Sequence, residues 1–325
     1  MSNDWCTIES DPAVFSELIS LFGVQNAEVE EIYSLDTHEQ ALDQRSFGLI
    51  FLFKYVEEAD DRLTLSHEDC PELFYAKQVI QNACATQAIL SILMNAEGIE
   101  LGDTLRDFKS FTMAFSPEMK GLAIGNSDVM RRAHNAFAAS SAFDADTQPR
   151  KDAKKGDAYH FIAYIPHNGI VYELDGLKGG PIILGAAADE DHWFTVAKPA
   201  IEERMQRYSA SETSFALLNI CPKRRLLFEG QLRMRRSELA EECISEERKS
   251  SLEMEVHQLE ESLAEEHAKA LRQKEENARR RHDYVPFTIT LLRLLSERGK
   301  LKDLVASGRA RASEAAGRKR NRGAN

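Results

Sequence analysis

The stretch that decides the fold runs Tyr159-His160-Phe161-Ile162-Ala163-Tyr164-Ile165-Pro166-His167-Asn168-Gly169-Ile170-Val171-Tyr172-Glu173-Leu174-Asp175. Two strand-like runs, Tyr159 to Ile165 and Ile170 to Leu174, flank Pro166-His167-Asn168-Gly169. Asn-Gly is the strongest short hairpin signal, because both turn residues must take positive φ. If Asn168 and Gly169 form a two-residue turn, residues whose numbers sum to 337 face each other. Asp175 then lies opposite Ile162 and His160 opposite Leu177, which makes Asp175 a diagonal neighbour of His160 on one face. The turn alone predicts a His–Asp contact. Taken singly, each of these residues reads more simply as an ordinary surface polar group.

Upstream, Thr86 to Met94 is apolar on all sides, and a helix without a polar face belongs inside a core. Asn82 is a candidate N-cap for it, which puts Cys84 in the first turn. The positive end of a helix dipole lowers a thiol pKa and favours the thiolate, the species that attacks carbonyls. Alone, a cysteine near a helix end is more often packing. Gln78, six residues earlier, is a loop glutamine in the bland reading. In the chemical one, its amide and the Cys84 N–H stabilise the oxyanion of an acyl transfer. His134 is a rival base, but no turn places a carboxylate beside it, so it reads as structural. His167 and His192 read as surface residues.

Further out, a helix is expected over Val14 to Phe22 after Asp11-Pro12, and a buried strand over Leu49 to Phe53. Residues up to about Pro222 thus form a mixed α/β domain, interrupted by a Ser/Ala/Asp/Lys-rich stretch from Ala138 to Lys155 of the kind that serves as a lid or is disordered. Between Gln231 and Arg281, 24 of 51 residues are charged, and neither Gly nor Pro occurs before Pro286. Leu252, Val256, Leu259 and Leu263 make a narrow coiled-coil-like seam on this helical stretch. Its partner is left open: self-association, back-packing on the first domain, or a foreign protein. Pro286-Phe287 opens a short amphipathic helix, and Gly308 onward reads as a disordered basic tail.

The net charge of −12 over 325 residues hides an asymmetry, since Arg298 to Asn325 holds nine Lys/Arg against Asp303 and Glu314. An acidic body argues against a nucleic-acid-binding fold. Arg318-Lys319-Arg320-Asn321-Arg322 reads as a solvated end or a nuclear-import patch. The longest apolar run, Phe47 to Phe53, is far shorter than a membrane span, and Met1 to Trp5 lacks a signal-peptide pattern. Five cysteines without a C-x-x-C pair exclude a zinc ribbon and make a disulfide scaffold a poor fit. The chain reads as intracellular, and neither metal nor cofactor is expected.

Several segments, in order, resemble the ubiquitin carboxyl-terminal hydrolase family. Phe74-Tyr75-Ala76-Lys77-Gln78-Val79-Ile80-Gln81-Asn82-Ala83-Cys84-Ala85-Thr86-Gln87-Ala88 looks like its nucleophile segment. Tyr159-His160-Phe161 and Tyr172-Glu173-Leu174-Asp175-Gly176 resemble its His and Asp segments. Trp5 to Pro12, Val29 to Leu35, Gly48 to Lys54 and Gly125-Asn126-Ser127-Asp128 fit as well, whereas Lys178-Gly179-Gly180 departs from the more charged family pattern. Arg279-Arg280-Arg281-His282-Asp283-Tyr284-Val285-Pro286-Phe287 is similar to the extension of the proteasome-associated, isozyme-five subgroup.

The resemblance implies a papain-like cysteine-peptidase fold, with a central antiparallel sheet flanked by helices and a C-terminal helical extension. It divides the chain into a catalytic domain (1–226), a charged helical segment (227–281), a partner-binding extension (282–307) and a basic tail (308–325). It makes Cys84 the nucleophile, His160 the general acid/base, Asp175 the residue that orients His160, and Gln78 the oxyanion stabiliser, with residues 138–158 arching over the cleft. The implied partners are ubiquitin, with Tyr33 a candidate contact, a proteasomal regulatory-particle ubiquitin receptor and alternatively a chromatin-remodelling subunit, but no membrane. The implied location is cytoplasm and nucleus. The competing reading is an interaction scaffold with latent catalysis, which gives no reason for all four chemical positions to be intact.

Overall fold

The structure is a computed structural model that describes residues 5–35, 42, 46–55, 62–138, 159–187, 192–209, 215–241, 245–309 and 311. Six strands, β1 (Ala27–Glu31), β2 (Gly48–Lys54), β3 (Tyr159–His167), β4 (Ile170–Leu174), β5 (Ile182–Ala186) and β6 (Phe215–Pro222), form one antiparallel sheet in the order β1-β6-β2-β3-β4-β5. β2 lies between β6 and β3 and is buried from Gly48 to Phe53, as its unbroken apolar run requires.

Both faces of the sheet are covered. On one, α1 (Pro12–Leu21) and α2 (Cys84–Leu93) share a core with β1, β2, β3, β4 and β6. Ala85 through Leu93 are all buried, so α2 is the central helix that its apolar circumference predicted. At about 1.5–3 kcal/mol for each fully buried large aliphatic side chain, Ile89, Leu90, Ile92 and Leu93 are a main source of stability. α1 starts where expected, because the Asp11 carboxylate accepts from the N–H groups of Ala13 and Val14. Three further helices, α3 (Gly102–Thr112), α4 (Pro117–Asn126) and α5 (Asp128–Asn135), close this side. On the other face, α6 (Trp193–Ser209) lays Trp193, Phe194, Ala197 and Ile201 over Phe51, Phe53, Ile162, Tyr164 and Leu217.

The hairpin has the register set by its turn: His167 pairs with Ile170, Tyr164 with Glu173 and Ala163 with Leu174. Asn168 and Gly169 have φ of 50° and 74°. The ladder ends at Ala163–Leu174, so the extrapolated pairings of Asp175 with Ile162 and His160 with Leu177 do not form. Asp175 instead folds into a turn, its carboxylate accepting from the Leu177 N–H at 2.9 Å, and His160 is laddered with Phe53 of β2.

Two helices follow the sheet, α7 (Arg224–Leu239) and α8 (Glu246–Arg281), where one charged helical stretch was expected. Ala240 closes α7, and the Ser245 hydroxyl accepts from the Arg248 N–H to start α8. Arg235, Arg236 and Arg248 pair with Glu255, Glu260 and Glu238 across the two helices. The C-terminal part of α8, beyond the Leu252–Leu263 seam, turns back on the first domain. Leu252 is buried, Asn277 Nδ2 donates to the Ala13 carbonyl and Glu17, Arg280 pairs with Glu9 and Asp11, and Lys269 pairs with Glu28 and Glu30.

The described residues fall into two compact units, one ending at Arg280 and the other starting at Arg281. The second holds α9 (Val285–Glu297) and a helical stretch over residues 301–309. Gly308 and Arg309 are therefore helical rather than structureless, and the rest of the predicted tail, apart from residue 311, lies outside the described residues. So does the predicted lid beyond Ala138, together with Cys243.

Candidate active site

Cys84 opens α2, but Asn82 does not cap the helix. Ala83 occupies the cap position without a side-chain bond. Asn82 sits at φ 65° and turns its amide away to donate to the Trp5 carbonyl at 3.2 Å. The residue type was chosen for a tight left-handed turn and an anchor to the N-terminal segment, which sequence patterning cannot tell from a cap.

The thiol also departs from expectation. Burial pushes the Cys84 thiol up, and the backbone hydrogen bonds with Ala85, Cys84 and Phe161 oppose this without reversing it. Desolvation of a thiolate thus outweighs the helix end. The resting sulfur is protonated, and the site needs a base.

That base is within the same cleft. Cys84, His160, Gln78, Asn82, Tyr55, Tyr159, Leu177 and the Thr7–Ser10 segment line a cavity of about 680 Å³. The imidazole of His160 is buried, and its Nε2 lies 2.6 Å from Asp175 Oδ1. The other ring nitrogen, Nδ1, remains for the cleft. Burial raises the Asp175 carboxyl, but the hydrogen bond and charge of His160, the Leu177 N–H and the field of Arg204 together hold it below the ordinary carboxylate range. Asp175 is therefore a carboxylate that accepts from Nε2–H and fixes the tautomer.

Gln78 reaches the cleft from a loop sewn to the Asp175 turn. The Gln78 N–H donates to the Gly176 carbonyl at 2.7 Å, and the Tyr75 hydroxyl lies 2.7 Å from the Asp175 carbonyl and 2.8 Å from that of Lys178. Gly176 allows this approach, since a Cβ there would meet Gln87 Nε2 at 2.4 Å and Gln78 Cβ at 3.0 Å. One hydrogen of the Gln78 amide points to the Ile80 carbonyl at 3.3 Å, which leaves its second donor for a ligand.

His134 is structural. It is buried beneath Trp5, its Nδ1 is 2.7 Å from the Thr86 hydroxyl, and its Nε2 is 2.7 Å from the Cys6 carbonyl. Burial lowers its pKa, so it is neutral, with Nε2–H donating. Sequence patterning missed two parts of the site: the Thr7–Ser10 wall and the aromatic pair Phe53 and Tyr55 around His160. The Trp5–Pro12 motif was the only hint of the first.

A half-buried helix-end thiol and an imidazole backed by a carboxylate, on an antiparallel sheet with helices on both faces, define a thiol hydrolase. The sequence model of ubiquitin carboxyl-terminal hydrolase, family 1, matches residues 5–206, and a second model, for ubiquitin carboxyl-terminal hydrolases, matches residues 256–301. The chain belongs to this family and is a cysteine-type ubiquitin carboxyl-terminal hydrolase, a deubiquitinating enzyme. It is 39% identical over 337 residues to ubiquitin carboxyl-terminal hydrolase isozyme L5 of Dictyostelium discoideum, covering 95% of this chain and 96% of that one. It is 38% identical over 315 residues to ubiquitin carboxyl-terminal hydrolase ubh-4 of Caenorhabditis elegans, covering 96% and 94%. Among solved structures, UCH37 of Trichinella spiralis bound to ubiquitin vinyl methyl ester superimposes with a TM-score of 0.66 at 33% identity, covering 84% of this chain and all of that one.

Proposed function

We propose that Cys84, His160, Asp175 and Gln78 cleave the bond after the C-terminal glycine of ubiquitin. The observation that carries this reading is the meeting of Cys84, His160 and Gln78 in one cleft, with Asp175 behind the imidazole. His160 takes the thiol proton as the sulfur attacks the glycine carbonyl, and the carbonyl electrons move onto oxygen. The Gln78 amide and the Cys84 N–H hold that oxyanion, each donor worth about 3–4 kcal/mol. Collapse expels the amine, which takes the proton from His160 and leaves a thioester. Water, deprotonated by His160, hydrolyses the thioester and returns the thiol. Asp175 keeps the imidazole oriented and stabilises its charged form.

Ubiquitin is the partner this reading requires, with Tyr33 offering an exposed ring beside the acidic β1 edge. The second unit serves as the dock for a proteasomal regulatory-particle ubiquitin receptor or, alternatively, a chromatin-remodelling subunit. Its apolar residues Phe287, Ile289, Leu291, Leu292 and Leu294 are exposed, which supports that role. The protein works in cytoplasm and nucleus. The test is covalent capture: the full chain reacts with ubiquitin carrying a C-terminal electrophile, and Cys84→Ala does not. Labelling that persists in Cys84→Ala overturns the site.

A further inference from the structure

His160 is held by more than Asp175. Phe53 and Tyr55 meet its ring edge-on, each with centroids 5.7 Å away, at 82° and 76°. Phe53 is also its ladder partner across β2 and β3. Over the ring of Phe53, 5.4 Å from its centroid, lies the guanidinium of Arg204 from α6. The Arg204 side chain is 12% exposed and pairs with Glu173 of β4, whose side chain is fully buried. Arg62 clamps the same carboxylate through two nitrogens, at 2.8 and 3.0 Å.

Nothing in the hydrolysis described above uses these groups. Buried ion networks are poor sources of stability, because desolvation offsets their attraction and apolar packing would serve as well. We propose that Arg204 is a positioning residue, which fixes the His160 imidazole through the ring of Phe53 and balances Glu173 beside the reacting pair. This rests on His160 being the base. A guanidinium within about 6 Å of a ring centroid, and away from water, is a strong cation–π contact. It holds Phe53 in one pose and closes the direction in which the imidazole would otherwise swing. The Arg204 charge also helps hold the Asp175 carboxyl down against burial.

The charged and titratable groups near His160 are few enough to interpret a pH profile. Asp175 contacts it, Cys84, Tyr55, Tyr159 and Glu9 share its cleft, and Glu173 with Arg204 and Arg62 lies behind it. The experiment is steady-state hydrolysis, by the full chain, of ubiquitin bearing a fluorogenic C-terminal amide. Arg204→Met strips the nearer counter-ion from Glu173. The acid limb of kcat/KM then moves up by about 0.5–1 pH unit, and kcat falls about tenfold at unchanged KM. Arg204→Lys keeps the charge but loses the planar stack, so the limb stays while kcat still falls about threefold or more. Arg204→Met with Glu173→Gln removes both charges and returns the limb to its original position.

A folded Arg204→Met with the original limb and kcat overturns the proposal. If that variant does not fold, Arg204→Lys decides: an unchanged kcat overturns it, and a lower kcat at unchanged KM supports it. Labelling of Cys84→Ala by electrophilic ubiquitin would instead overturn the site itself, so the two failures are distinct.

Discussion

Cys84 carries two opposed influences, and magnitude decides between them. A helix end is worth about 0.3–1 kcal/mol to a nearby charge, less than the cost of taking a thiolate out of water. The sequence makes the first visible and hides the second, because burial depends on β3 and on the Trp5–Ser10 segment, both remote along the chain. With the thiol pushed up, iodoacetamide alkylation of Cys84 in the free protein, followed by peptide mass spectrometry, should have a pH midpoint above the roughly 8.5 of a free thiol. A preformed thiolate–imidazolium pair would put the midpoint at about 3.5–7.5, and a value below neutrality would contradict the protonated resting state. Asn82 gives a second expectation at this scale. Its left-handed backbone costs an alanine about 1–2 kcal/mol, and Asn82→Ala also loses the bond to Trp5. Asn82→Gly loses only the bond, so in denaturant titrations the alanine variant should be the less stable of the two. The reverse order would contradict the backbone account.

At the scale of elements, the hairpin was legible because a two-residue Asn-Gly turn leaves one register open, and that register carries His160 to the Asp175 turn. The same rule failed beyond Leu174, where the Asp175 carboxylate competes for the Leu177 N–H and curls the chain out of the sheet. Helix α6 was illegible as part of the site. Among the Glu, Arg and Lys of Lys198 to Arg207 nothing marks Arg204 as inward-facing until β4 supplies Glu173. The turn itself offers a test free of packing effects. A Cβ at Gly169 would meet nothing within 4 Å, yet φ is 74°. Gly169→Ala should therefore cost about 1–2 kcal/mol through the backbone alone. Electrophilic-ubiquitin labelling should persist, since the turn lies at the far end of the hairpin from His160. A stability unchanged in denaturant titration would show that the turn adopts another geometry.

Over the whole molecule, the far end of the charged helix finds partners on the first domain that its own sequence could not name. The Leu252–Leu263 seam looked ready for any partner, and the acids that answer its far end, Asp11, Glu17, Glu28 and Glu30, lie more than 200 residues away. No local pattern could pair them. Arg280 joins Asp11, the cap of α1, to Glu9 on the cleft wall, while Asn277 bonds the first turn of α1. Helix α8 up to Arg280 thus belongs to the catalytic unit, and the next residue begins the second. This division separates two truncations that sequence alone would treat alike. Ending the chain after Arg281 removes α9 but none of these bonds, so thermal midpoint and electrophilic-ubiquitin labelling should be unchanged, while recovery of the proteasomal ubiquitin receptor in a pull-down should be lost. Ending it after Ala240 removes α8 and the bonds it makes to Asp11, Glu17, Glu28 and Glu30, while Arg224 still serves Glu28 and Glu30. Hydrogen bonds to charged groups are worth about 1.5–3 kcal/mol each when well formed and less when exposed, so this shorter form should melt several degrees lower. Receptor recovery undiminished by the first truncation would contradict docking through the second unit, and equal melting of the two forms would contradict the seating of α8.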